Sequence, residues 1–488
     1  MFKKLLTVLA TVLFAVGGCM VGPDYTRPVT PADSVKSYSL RPSQWTQGEV
    51  PDSSQTWWKS FNDPVIDEFV QKALSKNFDL KAAAARVLEA EALLAQSHGR
   101  RLPEVDYSAV RSRSKISFIS PLGMRMGFVN KTYSQDITIN YMVDFFGKLK
   151  RLERASYADL LATEESRIAL IHSIIAQVVS ARVQVATQQR LLATSQANIK
   201  SRENTLKVVE RRYNSGLTSP LDVYQAKENL ATAKSAEPII QESLLLAQHS
   251  LEVLLGAAPG TTEIVKDTLP ELPELTEVPV GLPAALLDRR PDLRAAEYQI
   301  RAANERIGAS IAEMYPDLTL TGAGGYQADH FKDLFDIDNQ VYSFIMRVAA
   351  PIYKGGRLKA QVQAAKARTE LAAANYSSLV LKALQEVEDS LAAQEYLAKS
   401  ALNQKQRLDQ ALKGEKLANE RYSQGLEILL VVLDTERRRR AAEDQYILTK
   451  ARLYNARINL FLALGGDWKI DEKTADESSN IDAGVDNE

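Results

Sequence analysis

Two stretches of the chain carry neither glycine nor proline, from Lys148 to Ser215 and from Arg357 to Lys413. In the second, apolar residues recur at three- and four-residue intervals: Leu384, Val387, Leu391, Ala398, Ala401, Leu408 and Leu412, with Gln394 and Lys405 interrupting. That spacing predicts helices well beyond the usual globular length, packed in a coiled-coil-like manner. A helix of ~65 residues reaches roughly 100 Å at 1.5 Å rise per residue. Frequent alanine permits close approach of the backbones. A soluble coiled-coil scaffold would explain these helices, but not the strands that precede them.

The strand pattern has period two. Between Thr132 and Phe145, Tyr133, Ile137, Ile139, Tyr141, Val143 and Phe145 alternate with Thr132, Ser134, Asp136, Thr138, Asn140 and Asp144, with Gln135 and Met142 as the lapses. Leu318, Leu320, Gly322, Gly324 and Tyr326 alternate with Thr319, Thr321 and Ala323. Tyr342, Phe344, Met346 and Val348 form another face, and Val105, Tyr107 and Ala109 open the weakest strand. Strands of about ten residues, apolar on one side and polar on the other, are the signature of an outer-membrane barrel. A soluble sandwich is the alternative.

The chain is written twice. Phe78-Asp79-Leu80-Lys81-Ala82-Ala83 recurs as Pro291-Asp292-Leu293-Arg294-Ala295-Ala296, and Leu102-Pro103-Glu104 as Tyr315-Pro316-Asp317, both at an offset of 213. Arg212-Tyr213-Asn214-Ser215-Gly216-Leu217 recurs as Arg421-Tyr422-Ser423-Gln424-Gly425-Leu426 at an offset of 209. Each copy reads as a helix, two strands, a very long helix, a tight turn and a return helix. The first repeat is placed at 65–267, with strands about 104–115 and 132–146 and a helical hairpin at 148–255. A connector at 268–286 contains Pro270, Pro273, Pro279 and Pro283. The second repeat follows at 287–468, with strands about 317–327 and 340–352 and a hairpin at 357–464.

Four strands cannot close a barrel, for which about eight is the practical minimum. Open sheet edges are not tolerated in lipid. If the strands span a membrane, several protomers must share one barrel, so the pattern predicts an obligate homo-oligomer of unspecified number.

Composition adds mainly exclusions. The 488 residues hold 60 basic and 61 acidic side chains, a formal net charge of −1, which argues against nucleic-acid binding. One cysteine excludes an intramolecular disulfide, and four scattered histidines form no spaced metal motif. No nucleophile motif, phosphate loop or carboxylate cluster with a base is present, so no enzyme is expected. After residue 18 no run of ~18 uncharged apolar residues argues for a transmembrane helix. Residues 469–488 form an acidic tail, expected to be disordered; from Asp471 onward it carries seven acids and one lysine.

The first eighteen residues read as a signal peptide: a basic start at Met1–Lys4, then an apolar run from Leu5 to Val16. The run ends in Gly17-Gly18-Cys19, which resembles a bacterial lipobox. Cleavage before Cys19 would leave a covalent lipid on that residue, which would anchor an extended N-terminal segment at 19–64. Met20 in place of an aspartate favours the outer membrane.

From Cys19 to about Trp468 the chain resembles the TolC-like outer-membrane efflux channels, in the NodT/OprM-like lipoprotein subgroup that serves resistance–nodulation–division pumps. The residues carrying the resemblance are Met20-Val21-Gly22-Pro23-Asp24-Tyr25, Trp57-Trp58-Lys59-Ser60-Phe61-Asn62-Asp63-Pro64, Leu287-Asp288-Arg289-Arg290-Pro291-Asp292-Leu293 and the two Arg-Tyr-x-x-Gly-Leu turns. The resemblance implies a mainly α protein with transmembrane β-strands. It implies a homotrimer with a shared twelve-stranded β-barrel above a twelve-helix α-barrel. It also implies a periplasmic adaptor and an inner-membrane resistance–nodulation–division pump as partners, no cofactor beyond the lipid on Cys19, and the outer membrane of a Gram-negative bacterium as location. A type I protein-secretion duct shares this architecture, and a non-channel scaffold lipoprotein is a rival of another class.

The same resemblance implies site residues. Tyr213, Gly216, Leu217, Tyr422, Gly425 and Leu426 correspond to a periplasmic tip where the adaptor docks. Asp222 and Tyr422 correspond to a latch between neighbouring hairpins, and Arg437 to a position near the constriction. Glu427 stands where some family members have arginine, which removes the basis for an intersubunit salt bridge there. Asp434, nine residues past Gly425, would form a three-carboxylate ring favouring cations, although Val431 replaces a second acid. The run Arg437–Arg440 is expected to pair with acids on adjacent helices.

Overall fold

The computed structural model describes residues 20–30, 32, 35, 38, 57–61, 63–119, 123, 125–261 and 286–465. Cys19, the signal peptide, most of the connector and the acidic tail lie outside them.

Two compact units are present, and neither coincides with a sequence repeat. One consists of Ala85–Glu164 and Ala295–Tyr376 with the described residues up to Pro28. The other consists of Glu165–Arg294, the described part of Val29–Ala84, and the chain from Ser377 onward. Each unit takes matching portions of both copies, because each copy's long helix runs through both units.

In the first unit, β1 (Glu104–Ile119), β2 (Arg125–Val143), β3 (Asp317–Ala328) and β4 (Gln340–Ala349) form one antiparallel sheet in the order β1-β2-β3-β4. The strand limits differ from the sequence reading. β2 begins at 125 rather than 132, because it pairs with β1 as far as Ile119↔Arg125. It ends at Val143, where Asp144 turns to accept the Leu149 and Lys150 amides at 3.1 and 2.7 Å. β4 stops at Ala349, before Pro351, which has no amide to donate.

The register aligns the alternation across the sheet. Val105 faces Ile139, Ile139 faces Gly322 and Gly322 faces Phe344. One row further, Tyr107, Ile137, Gly324 and Tyr342 are partners, and on the helix side Tyr141, Leu320 and Met346 are partners. Successive side chains alternate between faces, so one face is apolar from Val143 to Tyr133 except at Gln135, whose side chain accepts from the Tyr107 hydroxyl at 3.1 Å. The other carries Asp136, Thr138 and Asn140, with Thr321 donating to Asn140 at 3.0 Å. Val105, Tyr107, Phe344 and Val348 are each more than 60% exposed in the single chain.

The residues just after Cys19 are tied to this unit. Val21 donates to the Phe146 carbonyl at 3.2 Å, and Met20 lies over Gly147. Arg151, 1% exposed, donates to the Val21 and Gly22 carbonyls and pairs with Glu305 at 2.9 Å. Asn304 holds the Pro23 carbonyl, and Tyr25 donates to Glu297 at 3.2 Å.

In the second unit, α1 (Pro64–Lys76) and the start of α2 (Phe78–Gly99) pack beside α3 (Lys148–Asn214), α4 (Pro220–Leu254), α6 (Arg357–Ser423) and α7 (Leu429–Ala463); α5 (Pro291–Ala312) begins here. Asp63 caps α1 by accepting the Val65 amide at 3.0 Å, with Pro64 at the first helical position. Trp57, Trp58 and Phe61 are buried with Ile171, Ile175, Val179 and Val183 of α3, and Trp57 stacks on Phe461 at 5.2 Å. One window of α3 has the length and hydropathy of a membrane span, against the sequence expectation, and 56% of it is buried. The apolar residues of α3 between Ile171 and Val185 belong to this core.

Candidate functional site

The candidate site is built on the two turns that join α3 to α4 and α6 to α7. Gly216 and Gly425 take φ of +73° and +79°, the left-handed conformation that glycine adopts without a Cβ clash. The Leu217 amide reaches the Arg212 carbonyl at 2.8 Å and the Gly216 amide the Tyr213 carbonyl at 2.9 Å. Leu426 and Gly425 repeat this with Arg421 and Tyr422 at 2.9 and 3.0 Å. Both turns are therefore Schellman C-caps, which explains why Arg-Tyr-x-x-Gly-Leu occurs twice. Asp222 closes a capping box with Ser219 at the start of α4.

The two copies then diverge. Tyr422 is 5% exposed, buried with Val209, Ala226, Leu429 and Val432, whereas its counterpart Tyr213 is 43% exposed. Arg212 lies over the Tyr422 ring at 4.9 Å and donates to the Tyr422 carbonyl at 2.7 Å. The swapped pair, Arg421 and Tyr213, does not repeat that contact; Arg421 pairs instead with Glu427 at 3.7 Å. Leu217, Leu221, Tyr224, Leu426, Ile428 and Leu430 leave the turns with exposed apolar side chains.

Asp222 and Tyr422 are close but make no hydrogen bond to each other among the described residues. The Asp222 carboxylate accepts from the Thr218 hydroxyl and the Ser219 amide. The Tyr422 hydroxyl is buried without a hydrogen-bond partner among the described residues. Burial raises the phenol above its ordinary pKa, Arg212 pulls it back, and the Asp222 charge adds to the rise. Sequence reading missed Arg212, although its place before the tyrosine in both copies was a signal.

Asp434 and Arg437 do meet, at 2.6 Å, and Arg438 takes the other Asp434 oxygen at 2.5 Å. Hydrogen bonds from both hold the Asp434 carboxyl below its usual range. Of the four arginines, only Arg439 reaches an adjacent helix, at Glu415 of α6. Arg437, Arg438 and Arg440 pair on their own helix, because i,i+3 and i,i+4 acids lie nearer.

With the duplicated turns and the amphipathic sheet described, comparison with known proteins identifies the chain. Residues 69–257 and 282–466 match the outer membrane efflux protein family. The chain belongs to that family. The toluene efflux pump outer membrane protein TtgF of Pseudomonas putida is 30% identical over 465 residues, covering 93% of this chain and 95% of its own. The pyoverdine export outer membrane protein OpmQ of Pseudomonas aeruginosa is 30% identical over 441 residues, covering 88% and 92%. The solved outer-membrane channel OprN superposes with a TM-score of 0.84 at 27% identity, covering 92% of this chain and all of its own. The chain is an outer-membrane efflux channel with a TolC-like, mainly helical fold, and not an enzyme.

Proposed function

We propose that three copies of this chain form the exit duct of a tripartite efflux system. Three sheets of four strands supply a shared twelve-stranded barrel, and the long hairpins supply a periplasmic tunnel. The observation that carries this is the sheet: its apolar face is aligned across all four strands, while β1 and β4 are left as open edges. Lipid supplies no hydrogen bonds to such edges, so each must pair with a neighbouring protomer.

The duplicated turns support the same closure. A ring of alternating copies has as many junctions between chains as within them. Arg212 on Tyr422 occupies the junction within the chain, and Arg421 and Tyr213 remain to meet across protomers. The exposed Leu217, Leu426, Tyr213 and the residues around Gly216 and Gly425 are the docking surface for a periplasmic adaptor, which connects the duct to an inner-membrane resistance–nodulation–division pump.

Relatives named for toluene and pyoverdine favour small molecules over proteins as cargo. Transport through the duct is passive and uses no cofactor. The lipid anchor is assigned to Cys19, a reading supported by the docking of the residues that follow it, Met20 and Val21, at Phe146 and Gly147 beside the helix side of the sheet.

The gate comprises Asp222, Tyr422, Asp434 and Arg437, with Arg212 as the clamp on Tyr422. Single-channel recording from purified protein in planar bilayers tests the duct. Low resting conductance that rises in Arg212→Ala and Asp222→Ala, at unchanged trimer yield, is expected. A protein that never conducts supports the scaffold reading instead.

A further inference from the structure

Above the apolar face of the sheet, β1 and β2 continue as a two-stranded hairpin past the end of β3. From Arg111 to Tyr133 the chain carries five basic residues and no acidic one. The register sorts them onto a face. Arg111 is opposite Tyr133, Arg113 opposite Lys131 and Lys115 opposite Val129, all in phase with Tyr107 and Ile137. The cations therefore stand on the same side as the lipid-facing residues.

Their level follows from the aromatic side chains. Phe145, Phe146 and Tyr315 cluster beside the helix end of the strands, with ring centroids 5.2 and 4.7 Å apart. Tyr342, Tyr326 and Tyr133 lie toward the other end, where Phe331 meets Tyr133 at 5.8 Å. Two aromatic girdles bracket the hydrocarbon band of a membrane barrel. Val143 and Tyr133 are ten residues apart, about 33 Å along a strand, and about 25 Å in height once the strands tilt. Arg111 lies over the Tyr133 ring at 5.6 Å, in the outer girdle itself. Arg113, Lys131 and Lys115 come one or two rows above it. That level is the headgroup layer of the outer leaflet.

Arg113 and Lys131 are directly opposite each other, an arrangement that repels in an isolated sheet. Both are exposed, and neither they nor Lys115 form an ion pair among the described residues. Cations in this position are satisfied by an anion brought by the surrounding lipid.

We infer that Arg113, Lys115 and Lys131 form a binding site for the phosphates of a phosphorylated glycolipid in the outer leaflet, repeated once per protomer around the barrel. The site rests on the strands spanning the membrane in a closed barrel. Arg111, held over Tyr133, borders it from the girdle side.

The test uses the full-length protein purified in detergent and titrated with diphosphoryl lipid A or its dephosphorylated form, with bound lipids counted by native mass spectrometry. The expected result is at least tenfold tighter retention of the diphosphoryl form by the wild type. Arg113→Gln/Lys115→Gln/Lys131→Gln should lose that preference, and Arg113→Lys/Lys131→Arg should keep it. Equal retention by the triple variant, or equal binding of both lipids, would overturn the site. Displacement by millimolar inorganic phosphate would assign it to free anions and overturn the lipid reading. Should the triple variant fail to assemble, Lys131→Gln alone should show a partial loss, and full retention there counts against the site. The oligomer mass from the same spectra reports separately on barrel closure.

Discussion

His172 is 3% exposed, and burial lowers its pKa to about 3, with the Asp292 charge acting in the opposite direction. Its unfolded value is near 6.5, so the neutral form is the one the fold accommodates. The associated stability is complete above pH 6.5 and is lost as pH falls toward 3, at about 1.4 kcal/mol per pH unit. Burial raises Glu415 and Glu436 instead, so protonation of these two favours the fold and works against the loss. Unfolding followed from pH 7 to 4 should show a weaker acid dependence in His172→Leu than in wild type; identical curves would remove His172 from the account. Asp63 and Arg182 form a second buried pair, at 3.1 Å and 3% and 1% exposed. Arg182→Ala leaves Asp63 buried without its cation, and should cost about 3–5 kcal/mol in urea-dependent protease resistance.

At the scale of elements, the long helices, the turns and the strand faces were legible because each rests on a local rule: periodicity, a glycine requirement, alternation. Gly216→Ala tests one such rule in isolation. Nothing lies within 4 Å of the added Cβ, so the cost is the left-handed backbone alone, about 1–2 kcal/mol. Faster hydrogen exchange confined to residues flanking the turn is expected; unchanged exchange would mean that the cap contributes nothing. What was not legible depended on non-local packing. Asp222 and Tyr422 share a neighbourhood, but the aspartate is consumed by its own capping box and the tyrosine by Arg212, from the other copy. Similarly, Trp57-Trp58 and Arg289-Arg290 stood out as motifs before their work was visible. The first fills the helical core. In the second, Arg290 joins Asp292 at 2.7 Å and Glu386 at 2.6 Å and donates to the last-turn carbonyl of Ala463.

For the whole molecule, Asp434 cannot be considered without Arg437 and Arg438. In the proposed trimer each protomer brings one carboxylate and two guanidiniums to this level, so the proposed ring is not a set of free acids. Asp434→Ala should shift reversal potentials in a salt gradient toward anions, and Arg437→Gln/Arg438→Gln toward cations. Unchanged potentials in both would place the group away from the conduction path. On the proposed architecture a four-stranded chain becomes a channel only by sharing its barrel. The most direct measurement is the protein mass of the detergent-solubilised particle, by light scattering with the detergent contribution separated, on the preparation that conducts in bilayers. Three chains per conducting particle is the predicted result. A monodisperse single chain that still conducts would contradict the account.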